Sequence, residues 1–115
     1  MTLREARVLF TCLMAQLILK AFDWGYEVAF AEGMDRKTAK DPTTDHMPGS
    51  LHEIGLAQDL DLYLKGIYQE STEQHRALGE YWESLHPQCR WGGRFKKPDG
   101  NHYSLIVPDI TGNRA

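Results

Sequence analysis

Residues 50–63 read SLHEIGLAQDLDLY and set His52 and Asp59 into an otherwise apolar run. An imidazole nitrogen and a carboxylate oxygen are both ordinary zinc ligands, at about 2.0–2.2 Å from the metal. Two ligands do not hold a zinc, so a third must come from elsewhere in the chain. His102, in PDGNHYSL, is the best candidate, with Asp99 three residues before it. Within residues 54–64, Leu56, Leu60, Leu62 and Leu64 alternate with Ala57, Asp59, Asp61 and Tyr63, which predicts a strand with Asp59 on the face opposite the leucines. Asp61 shares that face and competes with Asp59 as the carboxylate ligand.

Downstream, Lys65 and Gly66 supply a turn, and Ile67, Tyr68 and Gln69 read as the returning strand of a hairpin. Ser71 with Gln74 forms a capping-box pattern, and His75, Leu78, Trp82 and Leu85 follow at helical spacing until Pro87 ends the helix. In this reading His75 is a partly buried helix residue and His86 a helix-end residue. Gly92 and Gly93 after Trp91 allow a close backbone approach that a side chain forbids. HYSLIV, residues 102–107, is the last strand, with His102, Ser104 and Ile106 on one face and Tyr103, Leu105 and Val107 on the other. If it pairs beside residues 56–62, His102 and Asp59 meet at one metal. Residues 108–115 read as a frayed tail.

Upstream, Thr2 and Glu5 form another capping box, and Leu3, Ala6, Phe10, Leu13, Leu17 and Ala21 recur at three- and four-residue spacing. Residues 3–23 are therefore expected to form an amphipathic helix ended by Gly25, followed by a strand through Tyr26, Val28 and Phe30. Residues 33–49 turn polar and lose periodicity, as a long functional loop does, and His46 there is expected in solvent. The domain plan is helix and first strand in 1–32, loop in 33–49, metal-site core in 50–107 and tail in 108–115, all within one small α+β domain.

With 115 residues, 42% hydrophobic and 25% charged, the chain has the composition of an ordinary soluble globular domain. A net charge of −3 gives no footprint for a nucleic-acid backbone or an anionic membrane surface. Cys12 reads as a core residue and Cys89 as an incidental thiol, neither in a CxxC pattern. Residues 8–19, VLFTCLMAQLIL, are too short to span a bilayer and lack a cleavage site, so synthesis and folding in the cytoplasm are expected.

The pattern SxHxxGxAxD, met by Ser50, His52, Gly55, Ala57 and Asp59, and the later WGG, Asp99 and His102 resemble the zinc D-Ala-D-Ala carboxypeptidase and L-alanyl-D-glutamate endopeptidase family. Tyr103 stands where that family usually has Phe. The resemblance covers the whole chain and resembles a phage endolysin of that family. It implies the Hedgehog/DD-peptidase fold, an antiparallel sheet with helices packed on one side. It also implies one zinc per chain held by His52, Asp59 and His102, with Asp99 as general base, three residues before the last ligand. Arg36 is the nearest match to the family's substrate-binding arginine, and Ser50 is expected to touch substrate or orient its loop.

Two histidines and one carboxylate leave a tetrahedral position open, which is the pattern of a catalytic zinc. The expected function is cleavage of peptidoglycan stem peptides, by resemblance between L-Ala and D-Glu, in host lysis. The expected form is a monomer with no nucleic-acid or stable membrane partner. It would be made in the host cytoplasm and reach the wall in the periplasm through a holin-type pore. Two alternatives stand beside this: D-Ala-D-Ala carboxypeptidase or dipeptidase activity, and a non-catalytic module that keeps the metal for stability. The plainer reading of Asp99 is a turn residue in Pro98-Asp99-Gly100.

Overall fold

The computed structural model describes residues 1–31 and 50–112. The polypeptide opens with α1 (Leu3–Asp23), whose N-terminus carries the expected capping box: Glu5 N–H donates to the Thr2 hydroxyl at 3.1 Å, and Thr2 N–H to Glu5 Oε1 at 2.8 Å. Its buried stripe is Ala6, Phe10, Leu13, Met14, Leu17 and Ala21. Leu3, expected in that stripe, is 40% exposed. Cys12, expected in the core, is exposed. At about 100° per residue it lies two positions from both Phe10 and Met14, which turns it away from the buried side. Gly25, at φ +90°, lets the chain leave the helix.

β1 (Tyr26–Phe30) then pairs antiparallel with the second half of β2 (Ala57–Leu64), from Tyr26 opposite Leu64 to Phe30 opposite Leu60. The strand expected over 54–64 starts three residues late, because Leu51–Ile54 form a 3₁₀ turn that the alternating pattern of the strand concealed. Lys65 and Gly66, with φ of 51° and 78°, make the tight turn into β3 (Ile67–Tyr68), a left-handed pair that suits a two-residue hairpin.

A 3₁₀ turn, Glu73–His75, leads into α2 (Arg76–Leu85). Next comes β4 (Cys89–Trp91), a strand not expected from the sequence because three residues carry no readable alternation. β5 (His102–Leu105) lies between β2 and β4, and the sheet order is β1-β2-β5-β4 with β3 on β2. All four residues of β5 are buried, so its two faces are both covered rather than divided between core and solvent. Residues 108–111, expected as tail, form the short helix α3 (Pro108–Thr111), with Thr111 buried and its hydroxyl bonded to the Val107 carbonyl at 3.0 Å. Pro at its first turn has the φ a helix start needs.

The core is an aromatic stack joining the helices to the sheet. Phe10 of α1 meets Trp82 of α2 edge-on at 5.7 Å, and Trp82 meets Tyr103 of β5 at 6.1 Å. Trp91 packs against two glycines, Gly79 of α2 and Gly93, where a Cβ on either would clash with its ring atoms. In most helices Gly→Ala gains about 1 kcal/mol from propensity. Here the added methyl overpacks a fully buried indole, which costs about 1–3 kcal/mol. We therefore expect Gly79→Ala to lower the urea midpoint, and an unchanged or raised midpoint would show that α2 can slide away from Trp91.

Candidate metal centre

Three separate pieces of local structure bring the site together. Ser50 caps the 3₁₀ turn, its hydroxyl accepting from His52 N–H at 3.2 Å. Leu51 is fully buried and pins the turn to the core. Gly55 ends the turn at φ +76°, a left-handed conformation that a side chain would strain, with the Arg7 side chain lying against it. His52 is thereby held beside the start of β2.

Asp59 of β2 and His102 of β5 are direct cross-strand partners. Opposed residues in an antiparallel pair project from the same face with Cβ atoms about 4.5–5.5 Å apart. The pairing assumed from the sequence is therefore realised. Gly92 completes the frame from below: a Cβ there would collide with the Asp99 carbonyl and stand 2.7 Å from His102 Cβ. The close approach expected of the WGG segment is an approach to the metal-site strand itself.

His52 Nε2, His102 Nδ1 and Asp59 Oδ1 form a triangle with sides of 3.1, 3.2 and 3.4 Å. Ligand atoms held about 2.0–2.1 Å from a tetrahedral ion stand about 3.3–3.4 Å apart, so the triangle has the dimensions of one face of a zinc coordination shell. The two imidazoles are nearly buried and the carboxylate is partly so. Among the described residues these three are the group able to hold a metal ion. Burial opposes ionisation of Asp59, but hydrogen bonds from His102 and His52 and their charges outweigh it and hold the carboxyl well below the ordinary range. An anionic carboxylate facing two imidazole nitrogens is the donor set that zinc takes.

Asp61, the competing carboxylate, is buried one strand-period further on, within 3.4 Å of the Tyr68 hydroxyl, and it is outside the triangle. Asp99 lies on the loop that leads into β5. Its N–H donates to the Gly92 carbonyl at 2.9 Å, and its carbonyl accepts from His102 N–H at 3.2 Å, so the loop is tied to the candidate ligand His102. Desolvation and the charge of Asp59 raise the Asp99 pKa, against the lowering influence of His102, His52 and His75. Arg36 and His46 lie outside the described residues.

Sequence reasoning missed one neighbour of the centre and understated the burial of His75. Phe95 stacks at a tilt on the His102 ring, with centroids 5.2 Å apart. His75 is 2% exposed rather than partly buried, and its Nε2 lies 2.9 Å from the Gln69 carbonyl. Nε2 must therefore carry the proton. Nothing in the spacing of residues 71–85 distinguishes a half-buried from a wholly buried histidine.

The model of the D-alanyl-D-alanine carboxypeptidase family matches residues 43–105, more than half of the chain and all of the site just described. Among solved structures the fold is similar to that of the L-Ala D-Glu endopeptidase ChiX of Serratia marcescens, with a TM-score of 0.51 and 18% sequence identity over 84% of this chain and 80% of that one. No curated protein matches the sequence.

Burial lowers the His75 pKa more than the Gln69 carbonyl and the charges of Asp61 and Asp99 raise it. The fold thus favours the neutral ring, and the unfolded chain binds the proton more readily. Its contribution to stability is complete above the ordinary imidazole pKa of about 6.5 and is lost as pH falls below it. Unfolding free energy measured between about pH 7 and pH 5 should fall, and His75→Gln, which cannot titrate, should show a shallower fall while keeping the metal triangle. Parallel slopes in the two proteins would remove His75 from the acid response.

Proposed function

The chain belongs to the D-alanyl-D-alanine carboxypeptidase family, and on that premise we propose that this peptidase is a zinc enzyme cutting the L-Ala–D-Glu bond of peptidoglycan stem peptides as a phage endolysin. The observation that carries the reading is the triangle of His52, Asp59 and His102, whose sides fit a tetrahedral ion with a fourth position open. Zinc held there would supply a water acidified to near neutral pKa and a Lewis acid for the scissile carbonyl.

The remaining work falls to the protein's own groups. In this reading Asp99 takes the proton from the attacking water and passes it to the leaving amine. Its raised pKa supports that role, since a carboxylate closer to neutrality is a stronger base before the attack and holds its proton for the amine afterwards. Ser50 orients the His52 turn through its cap and leaves its hydroxyl proton for substrate. Arg36 would hold a substrate carboxylate or carbonyl.

The name of the fold neighbour favours the L-Ala–D-Glu bond, and the family's own description favours terminal D-Ala. Stem peptides carry both bonds, so mass spectrometry of digested muropeptides separates the two readings in one experiment. We expect new N-terminal D-Glu fragments, and release of free D-Ala alone would assign the carboxypeptidase reaction. As an endolysin the protein would be made in the host cytoplasm and meet the wall in the periplasm through a holin-type pore. Among the described residues no helix is long and apolar enough to cross a membrane.

Elemental analysis should find one zinc per chain. Asp99→Asn should keep that zinc while hydrolysis falls about 10²–10⁴-fold, the usual worth of a general base. Asp59→Asn should weaken zinc binding itself, and His102→Ala should lose both zinc and activity. Full turnover by zinc-loaded Asp99→Asn would reduce Asp99 to a turn residue.

A further inference from the structure

Beside the metal centre lies a cavity of about 480 Å³ lined by Glu83, Cys89, Arg90, Arg94, Phe95 and Lys96. Phe95 is common to both places, since its ring also packs on His102 at 5.2 Å. The cavity and the His102 ring thus meet at Phe95, across a centroid separation of 5.2 Å. An extended peptide advances about 3.3–3.6 Å per residue, so one to three residues span that interval.

The charge of the lining is unlike that of the chain as a whole. The protein carries a net charge of −3, yet this cavity gathers three cations against one carboxylate. Arg94 and Glu83 neutralise each other through a two-pronged contact at 2.6 and 2.9 Å, with Glu80 a further 3.6 Å from Arg94. Among the described residues neither Arg90 nor Lys96 has an acidic partner, so their charges are left for something else. The Cys89 thiol adds no negative charge, because burial pushes its pKa up to about 12. With Glu83 spent on Arg94, the charge left in the cavity is positive, and a cleft with an excess of one sign of charge concentrates ligands of the opposite sign.

We propose that this cavity is a carboxylate-binding subsite for the peptide substrate, in which Arg90 and Lys96 take a free carboxylate one to three residues from the scissile amide. Arg94, tied to α2, shapes the wall and does not bind. The proposal rests on the peptidase reading above and adds to it a reason for preferring acidic peptides. A guanidinium and an ammonium suit a carboxylate and offer nothing comparable to the neutral amide that replaces it when a stem peptide is amidated.

The test uses the tripeptide L-Ala-γ-D-Glu-L-Lys and two relatives, one amidated at the D-Glu carboxylate and one at the C-terminus. With the zinc-loaded wild type, KM should rise about 10- to 100-fold for one of the two amides, the usual worth of hydrogen bonds to a charged group. Arg90→Gln combined with Lys96→Gln should raise KM for the parent by a similar factor and leave the discriminating amide unaffected. Lys97→Gln, a neighbour outside the lining, should change neither. Equal KM for all three peptides in the wild type, or an equal loss on parent and amide in the double variant, would overturn the subsite. Calorimetric binding of the same peptides to zinc-loaded Asp99→Asn protein keeps the two readings apart. If no peptide is hydrolysed, the endopeptidase reading fails, while selective loss of parent binding in the double variant still supports the subsite and its absence overturns it.

Discussion

The pairing of Asp59 with His102 across β2 and β5 is the constraint from which the rest of the site follows. Strand side chains alternate with a period of two, so a slip of one residue would send one of these two residues to the opposite face. The register is secured on both sides of the pair. Leu60 N–H donates to the Asn101 carbonyl at 2.9 Å, and Leu105 N–H to the Leu56 carbonyl at 2.9 Å. Strand β5 is wholly buried between β2 and β4, which leaves it no alternative partner to slide against. His52 is then the one candidate ligand not set by the sheet, and the Ser50 cap and Gly55 exit of its turn bring it to the same point.

The loop that carries Asp99 is fixed by different physics. It has little regular structure, and its order comes from glycines that let backbone and ring approach closely. Gly92 admits the Asp99 carbonyl, Gly93 and Gly79 admit Trp91, and Gly100 lies against Thr72. Trp91 closes the arrangement by donating its indole N–H to the Gly100 carbonyl at 2.7 Å. A proton acceptor must be held in place to act, and Asp99, the proposed base, sits on a segment bonded to β5 at one end and to a buried indole at the other.

The legibility of the sequence followed how local each determinant was. Capping boxes at Thr2 and Ser71, the Gly25 exit and the Lys65–Gly66 turn all announce themselves within a few residues, and the structure has each in place, while His52, Asp59 and His102, read from two separate motifs, lie close together as a possible metal site. β4 was hidden because three residues carry no period, and α3 because four residues after a proline look like any loop. Cys12 was misjudged because α1 is apolar on much of its surface, with Val8, Leu19 and Phe22 exposed as well, so composition did not mark the buried side. Phe95 became a neighbour of the site, and His75 wholly buried, through tertiary packing alone, which no spacing in one sequence encodes.

The unequal surroundings of the three tryptophans give the molecule an optical signature. Trp24 is 45% exposed at the end of α1, whereas Trp82 and Trp91 are completely enclosed. Trp82 spends its indole N–H on the carbonyls of Arg90 and Ser104, deep between α2 and the sheet. Trp91 spends its own one residue beyond Asp99. The emission of a buried indole is set by the dipoles around it, so the natural fluorescence of this protein contains a probe wired to the loop of the proposed base. Exposed Trp24 can be silenced by a water-soluble quencher while the enclosed pair continues to report.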